Sequence, residues 1–224
     1  MAPIDNYYQI HTTRFKYLLA KIDSLNIPSS AKILDVGCYP PYIFNQLSEK
    51  YSVFGISSPL EPFDHSQVKI LNLESDPVNF PKNNFDLIIF SEIIEHLSNP
   101  VLVLKKLVPL LKKNGYFIIT TPNVFRWQNL ISLIVGQNIY FPLFQLEQPI
   151  NFRHQREYSL AEITSLCRSL HLQAVSNNYF IAYPPNRSKN KSDKLALKFV
   201  KYLNYLFSLL FSVRSDSLFL LFRK

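Results

Sequence analysis

Apolar positions along residues 31–124 come in short runs separated by segments with helical spacing. KILDVG (32–37), YSVFGI (51–56), VKILNL (68–73), FDLIIFS (85–91) and YFIITT (116–121) read as strands. The unbroken apolar run of 85–91 suits a strand covered on both faces. An N-terminal helix is expected over about residues 4–26. YIFNQLSEK (42–50) sets Ile43, Phe44 and Leu47 on one side of a second helix. VLVLKKLVPLLKK (101–113) reads as an amphipathic helix, weakened in its last turn by Pro109 and stopped by Asn114-Gly115. Repeated strand–helix–strand order predicts a parallel sheet with right-handed crossovers, and ligands then bind beyond the carboxyl ends of the strands.

Beyond Pro122 the pattern loosens. FRWQNLISLIVG (125–136) predicts a helix ending at Gly136, and the aromatic, Pro-bearing stretch after it makes 125–157 a lid-like insertion. SLAEITSLCRSL (159–170) starts with a capping box, Ser159 and Glu162. LQAVSNNYFIA (172–182) is a strand, 186–194 a basic linker, and SLFLLFRK (217–224) a final strand of what reads as one domain over 1–224. In the intervening segment, 195–213, the polar positions Lys194, Lys198, Lys201, Asn204, Ser208 and Ser212 recur every three or four residues. They form one narrow stripe on an otherwise apolar helix. Either the helix packs on the sheet with its stripe in water, or it lies on an anionic membrane surface through 194–213.

Composition adds a compartment and a charge asymmetry. With 224 residues, 47% apolar and 18% charged, the chain suits a globular fold and excludes a disordered one. The net charge is +8, yet residues 1–150 balance 12 basic against 12 acidic, while 151–224 carry 12 against 4. The basic last third suits anionic lipid, a phosphorylated carrier or nucleic acid, or is simply a solvated face. Cys38 and Cys167 stand far apart without metal-type spacing, which favours a reducing compartment. The N-terminus lacks the apolar stretch of a secretory signal. The expected location is cytoplasmic, at the inner face of a membrane if the last helix is interfacial.

Three stretches carry the chemistry: Asp35-Val36-Gly37 after the first strand, FDLIIFSEIIEHL, and NGYFIITTPN. As a set they resemble the class I S-adenosylmethionine-dependent methyltransferases over roughly residues 30–180. The resemblance implies an α/β, Rossmann-like three-layer sandwich with a seven-stranded, mostly parallel sheet and one antiparallel strand near the C-terminus. It implies that S-adenosyl-L-methionine is the cofactor. The loop of Asp35, Gly37, Cys38 and Tyr39 would hold its methionine part, and Glu74 would meet the adenine amino group. Ser91 and Glu92 would border the cofactor, and Ser57 stands where the family places an acid for the ribose, with Glu61 one turn on. Tyr39 and Pro41 replace the usual second and third glycines. Exchanging a charged ribose contact for a hydroxyl costs about 1–3 kcal/mol, roughly tenfold or more in affinity.

Glu92, Glu95 and His96 are spaced to share one face of a helical turn beside the methyl donor. Two carboxylates and an imidazole make a divalent-metal half-site, with His154 of NFRHQREYS as a fourth ligand. The set resembles small-RNA 3′-terminal 2′-O-methyltransferases. Without metal, His96, with Glu95, acts as general base, because imidazole titrates near neutrality. The plain structural alternative is that Glu95 and His96 cap the turn. The run from TTPNVF to HQREYS resembles a bacterial branch linked with surface-polysaccharide or glycolipid assembly, on Thr121, Pro122, Asn123, His154, Arg156, Glu157 and Tyr158. Asn123, Arg156 and Tyr158 would orient the substrate, or Arg156 and Glu157 merely pair with each other. The leading expectation is O-methylation of a small or glycan- or lipid-linked acceptor. The alternatives are an RNA 2′-O-methyltransferase, which lacks a visible single-strand platform, and a non-catalytic scaffold with a degenerate cofactor loop.

Overall fold

The computed structural model describes residues 2–140, 154–183 and 195–224. Residues 141–153 of the expected lid and the basic linker 186–194 lie outside the described residues. The strands are β1 (Lys32–Val36), β2 (Ser52–Ser57), β3 (Val68–Ile70), β4 (Phe85–Ser91), β5 (Leu111–Pro122), β6 (Gln173–Phe180) and β7 (Ser217–Arg223). They form one seven-stranded sheet in the order β3-β2-β1-β4-β5-β7-β6. The pairs from β3 to β5 are parallel, and β7 is antiparallel to both β5 and β6. One reversed strand is what the sequence led us to expect. β7 is buried along its whole length except Arg223, so its apolar run SLFLLF reflects cover on both faces.

The helices are α1 (Ala2–Asp23), α2 (Tyr42–Ser48), α3 (Pro100–Leu107), α4 (Trp127–Ile134), α5 (Leu160–Ser169) and α6 (Leu195–Leu210). On one face of the sheet Phe15, Leu18 and Ile22 of α1 and Phe44 of α2 close a core with Ile33, Leu87 and Phe219. On the other, Val103 and Leu107 of α3 and Ile163 and Cys167 of α5 pack on Leu34, Ile88 and Phe117. Helix α5 carries the expected capping box of Ser159 and Glu162.

Three local expectations change. The helix expected to run to 113 ends at Leu107, passes through a 3-10 turn at Val108–Leu110, and gives way to β5 at Leu111. Pro109 has no N–H to continue the helix. Lys112–Gly115 then bulge out of the pairing, which jumps from Phe85–Leu111 to Leu87–Tyr116, with Asn114 at φ +66°. The third strand stops at Ile70, where its pairing to β2 ends. Helix α6 packs mainly on α4 and on the 3-10 turn that follows it rather than on the sheet. Of its polar stripe, Ser208 is buried and Ser212 exposed, while the side chains of Lys194, Lys198, Lys201 and Asn204 lie outside the described residues.

Candidate active site

Gly37 leaves β1 at φ +77°, and its N–H donates to the Ile56 carbonyl of β2 at 2.8 Å. A Cβ there would stand 2.1 Å from the Ile93 side chain, so only glycine lets the loop pass. The turn carrying Tyr39 and Pro40 borders a cavity of about 1160 Å³ and leaves it open. A loop poor in glycines has therefore not closed the crevice. Asp35, Gly37, Cys38, Tyr39 and Ser57 all line this cavity, as do Glu74, Ser91 and Glu92 on its other side. The eight residues expected to hold the cofactor are thus brought together.

Their commitments differ. Asp35 is buried, and burial pushes its carboxyl up to about 7. The Ser57 hydroxyl accepts from Phe63 N at 3.1 Å and keeps its own proton to donate. Glu61 lines the same cavity. Glu74 Oε1 accepts from Asn99 N at 2.7 Å, just ahead of α3, so one of its oxygens is already engaged.

Glu92 and Glu95 do not share a helical face. Glu92 sits at φ +57°, a left-handed residue that turns the chain off β4, and the 3-10 turn begins only at Ile94. Its Oε2 pairs with Arg14 Nη1 of α1 at 2.9 Å, and its Oε1 accepts from Thr120 Oγ1 at 2.9 Å. Glu95 is buried; Thr121 Oγ1 donates to its Oε2 at 2.9 Å. Glu95 Oε1 has no hydrogen-bond partner among the described residues and lies 3.9 Å from His96 Nε2. Burial first, then the nearby Glu92 charge, raise the Glu95 carboxyl well above the ordinary range.

His154 completes the group. Its ring stands edge-on to His96 with centroids 5.0 Å apart, and one ligand atom each from Glu95, His96 and His154 fall within 4.8 Å of one another. Of the four expected metal ligands these three converge, while Arg14 and Thr120 hold Glu92 aside. Behind His154, Glu157 Oε1 meets its Nδ1 at 3.3 Å, pairs with Arg126 at 2.6 Å, and through Oε2 accepts from Asn129 at 2.7 Å. Against the effect of burial, the His154 hydrogen bond and the Arg126 charge hold Glu157 below the usual carboxylate range.

The three residues expected to orient the substrate have partners of their own. Asn123 is fully buried, donates to the carbonyls of Val213 and Ser215, and accepts from Phe125 N, tying β5 to the segment before β7. Arg156 pairs with Glu162 of α5, not with Glu157, and its guanidinium lies over the Tyr158 ring. Arg156 and Tyr158 border a separate hollow of about 630 Å³ beside α3.

The sequence reading missed the wall that α1 builds. Tyr7, His11, Arg14 and Phe15 line the cavity, joined by Tyr183 and Arg126. Arg14 Nη2 donates to the Tyr7 hydroxyl at 3.1 Å, and the Tyr183 hydroxyl meets His11 Nδ1 at 3.0 Å. Burial, then the Arg14 charge, lower the His11 pKa to about 4, so its imidazole is neutral near pH 7. The available signal was Arg14 itself, an ionised group adjoining the buried run Phe15, Leu18 and Ile22.

A cavity with an acid and a bare glycine at the end of the first strand, in this strand order, has clear relatives. The methyltransferase domain family matches residues 10–177. The chain belongs to that family. Among known proteins, this methyltransferase is similar to the ubiquinone biosynthesis O-methyltransferase of Rickettsia canadensis, 31% identical over 140 residues, covering 58% of this chain and 59% of that protein. It thus matches less than two thirds of that relative's length. The enzyme of the same description from Vibrio vulnificus is 25% identical over 189 residues, covering 77% of this chain and 79% of that one. A SAM-dependent methyltransferase from Archaeoglobus fulgidus shares the fold with a TM-score of 0.61 at 14% identity, covering 94% of each chain.

S-adenosyl-L-methionine is the methyl donor of the family, and the residues here fit it. Gly37 leaves backbone exposed to a ligand, Ser57 has a proton to donate, and Asp35 presents a buried acid to a cationic group. The carboxyl near 7 gives the first expected result. The ammonium of the cofactor's methionine part, which S-adenosylhomocysteine keeps, would bind the ionised form, so cofactor binding below pH 7 releases a proton from Asp35. Affinity should therefore rise with pH, by up to about tenfold per unit, and level off above the carboxyl's value. Calorimetric titration with S-adenosylhomocysteine in buffers of different ionisation enthalpy reads the proton directly. In Asp35→Asn the release should vanish; an unchanged release would clear Asp35 of this role.

Proposed function

We propose that this methyltransferase transfers its methyl group to a hydroxyl oxygen of a small or glycan- or lipid-linked acceptor. The observation that carries this reading is the unpartnered Glu95 Oε1 beside His96 and His154, on the cavity that Asp35 and Gly37 also line. A hydroxyl is a poor nucleophile until its proton is removed, and these are groups that remove or weaken it. The O-methyltransferase descriptions of the relatives support the same acceptor atom.

The donor set of one carboxylate oxygen and two imidazoles suits a first-row divalent cation. Glu157 against His154 Nδ1 orients that ring, as carboxylates do behind metal-bound histidines. A cation held by Glu95, His96 and His154 would supply Lewis acidity to the acceptor oxygen. The chain's own contributions are positional. Arg14 and Thr120 keep the Glu92 carboxylate off the cluster, and Thr121 fixes Glu95 so that Oε1 faces His96. Without a cation, His96 is placed to take the hydroxyl proton as oxygen bonds to the methyl carbon.

Chelation tests the proposal. Methyl transfer to phenolic and sugar hydroxyls, assayed after exhaustive dialysis against EDTA, should fall at least about tenfold and return with Mn²⁺, Co²⁺ or Zn²⁺. Activity that persists in EDTA and is lost in His96→Ala but kept in His154→Ala assigns the step to His96 alone. Binding of S-adenosylhomocysteine with no transfer to any hydroxyl would overturn the oxygen acceptor. The open crevice argues against the non-catalytic scaffold. The buried free cysteines 38 and 167 support work in a reducing, cytoplasmic setting.

A further inference from the structure

Helices α4 and α6 expose the side chains that a water-facing surface would hide. Ile134 and Leu210 are each 74% exposed, Val135 62% and Leu209 58%. Trp127 joins the two helices into one patch, its ring 4.8 Å from that of Phe207 and 6.2 Å from that of Phe211. Meanwhile Ser208, on the polar stripe of α6, is turned inward and donates to the Arg214 carbonyl at 3.4 Å. Over its described side chains, α6 buries a serine and exposes Leu206, Leu209 and Leu210, the reverse of what water on that side would favour.

We infer that the α4–α6 face docks onto an anionic lipid bilayer and lies in its surface. Charge selects this occupant. Residues 186–214 carry seven basic residues, Arg187, Lys189, Lys191, Lys194, Lys198, Lys201 and Arg214, against one acid, Asp193. An apolar face on a stretch of chain with that charge excess in its sequence matches an interface of acyl chains beneath anionic headgroups. A second copy would carry the same positive excess rather than a complementary charge. Among the described residues no helix is long and apolar enough to cross a membrane, so the contact is one of lying on the surface. The face also adjoins the catalytic cavity, because Arg126 and Gln128, on either side of Trp127, line it. Docking would therefore set the cavity rim beside the bilayer. This proposal stands on the surface alone and not on the reaction assigned above.

Vesicle flotation of the full chain tests it. Partitioning onto phosphatidylcholine vesicles containing about 30% phosphatidylglycerol should exceed that onto phosphatidylcholine alone by at least about tenfold, and fall in high salt. Ile134→Ser combined with Leu210→Ser should lower that partitioning about tenfold or more. S-adenosylhomocysteine binding and thermal melting of the same variant report that the fold and cofactor site are intact. Should the double variant not fold, a polarity-sensitive dye on Leu210→Cys provides the second measurement, and a blue shift on anionic vesicles alone is the expected result. Failure of the parent to float on either vesicle overturns the inference, as does equal flotation of a folded double variant. A stable dimer that the double variant dissociates would overturn it in favour of a second copy. S-adenosylhomocysteine binding without flotation leaves the methyltransferase reading standing, so the two proposals fail separately.

Discussion

Replacing His96 with alanine is expected to lower methyl transfer by about 10²–10⁴-fold, the range a positioned acid–base group supplies. His96 Nε2 is 3.9 Å from Glu95 Oε1, and its ring is 5.0 Å from that of His154, so it occupies the middle of the cluster. If the group holds a cation, the variant loses one of three ligands; if not, it loses the proton acceptor. Either way the loss falls on kcat, because nothing the cofactor needs from Asp35, Gly37 or Ser57 is touched. Binding of S-adenosylhomocysteine should stay within about threefold of the parent, a difference under 1 kcal/mol. Retained kcat in His96→Ala would remove the cluster from catalysis, whatever it binds. His154→Ala discriminates further. Under the cation reading it loses metal affinity and activity together; under the base reading it keeps most of its rate, since Glu95 and His96 remain.

How much of this was legible in the sequence depended on how local each determinant is. Strands β4 and β7 announced themselves because burial on both faces writes a long apolar run, while β1 was legible despite Asp35 and β5 only from Tyr116 onward. The Ser159–Glu162 cap was legible because both of its bonds close within four residues. Spacing failed at Glu92. The arithmetic of a helical face assumes helical backbone from the first residue, and Glu92 is left-handed instead. The partner that holds it, Arg14, comes from α1, and nothing in HTTRF says which strand end that helix will cover. The stripe on α6 was visible, but a stripe does not say which way it faces. What the helix packs on comes from another element, Trp127 of α4, which Phe207 and Phe211 meet. The partners of the expected substrate residues were equally non-local. Asn123 and Arg156 are polar residues near the site in sequence, yet their hydrogen bonds are spent on the β5–β7 junction and on α5.

The contact between Arg14 and Glu92 leads to the largest expected change in stability. The Arg14 side chain is 5% exposed and that of Glu92 14%, so both ions have left bulk water. Burial alone would lower the Arg14 pKa, but the Glu92 charge raises it above its ordinary value, and the guanidinium stays charged. Arg14→Met keeps the length of the stem and the packing around Phe15 while removing the charge. It leaves Glu92 with Thr120 as its hydrogen-bond donor and no counter-ion. Breaking a buried pair from one side costs about 3–5 kcal/mol, and the low end applies because Glu92 borders the cavity. For a chain of this size about 3 kcal/mol lowers the melting temperature by roughly 6–12 °C. The reverse substitution, Glu92→Gln, strands Arg14 and should cost a similar amount. The double variant Arg14→Met/Glu92→Gln leaves no unpaired charge, so it should recover more than half of the single loss. Denaturant unfolding of the four proteins yields the coupling directly. Additive losses would mean that the ion pair adds nothing beyond its separate side chains, and that α1 is held to the cavity wall by Phe15, Leu18 and Ile22 alone. A measured coupling would instead make the pair the tie that closes the α1 side of the active site. Cofactor affinity should then fall in step with stability in each single variant and recover in the double.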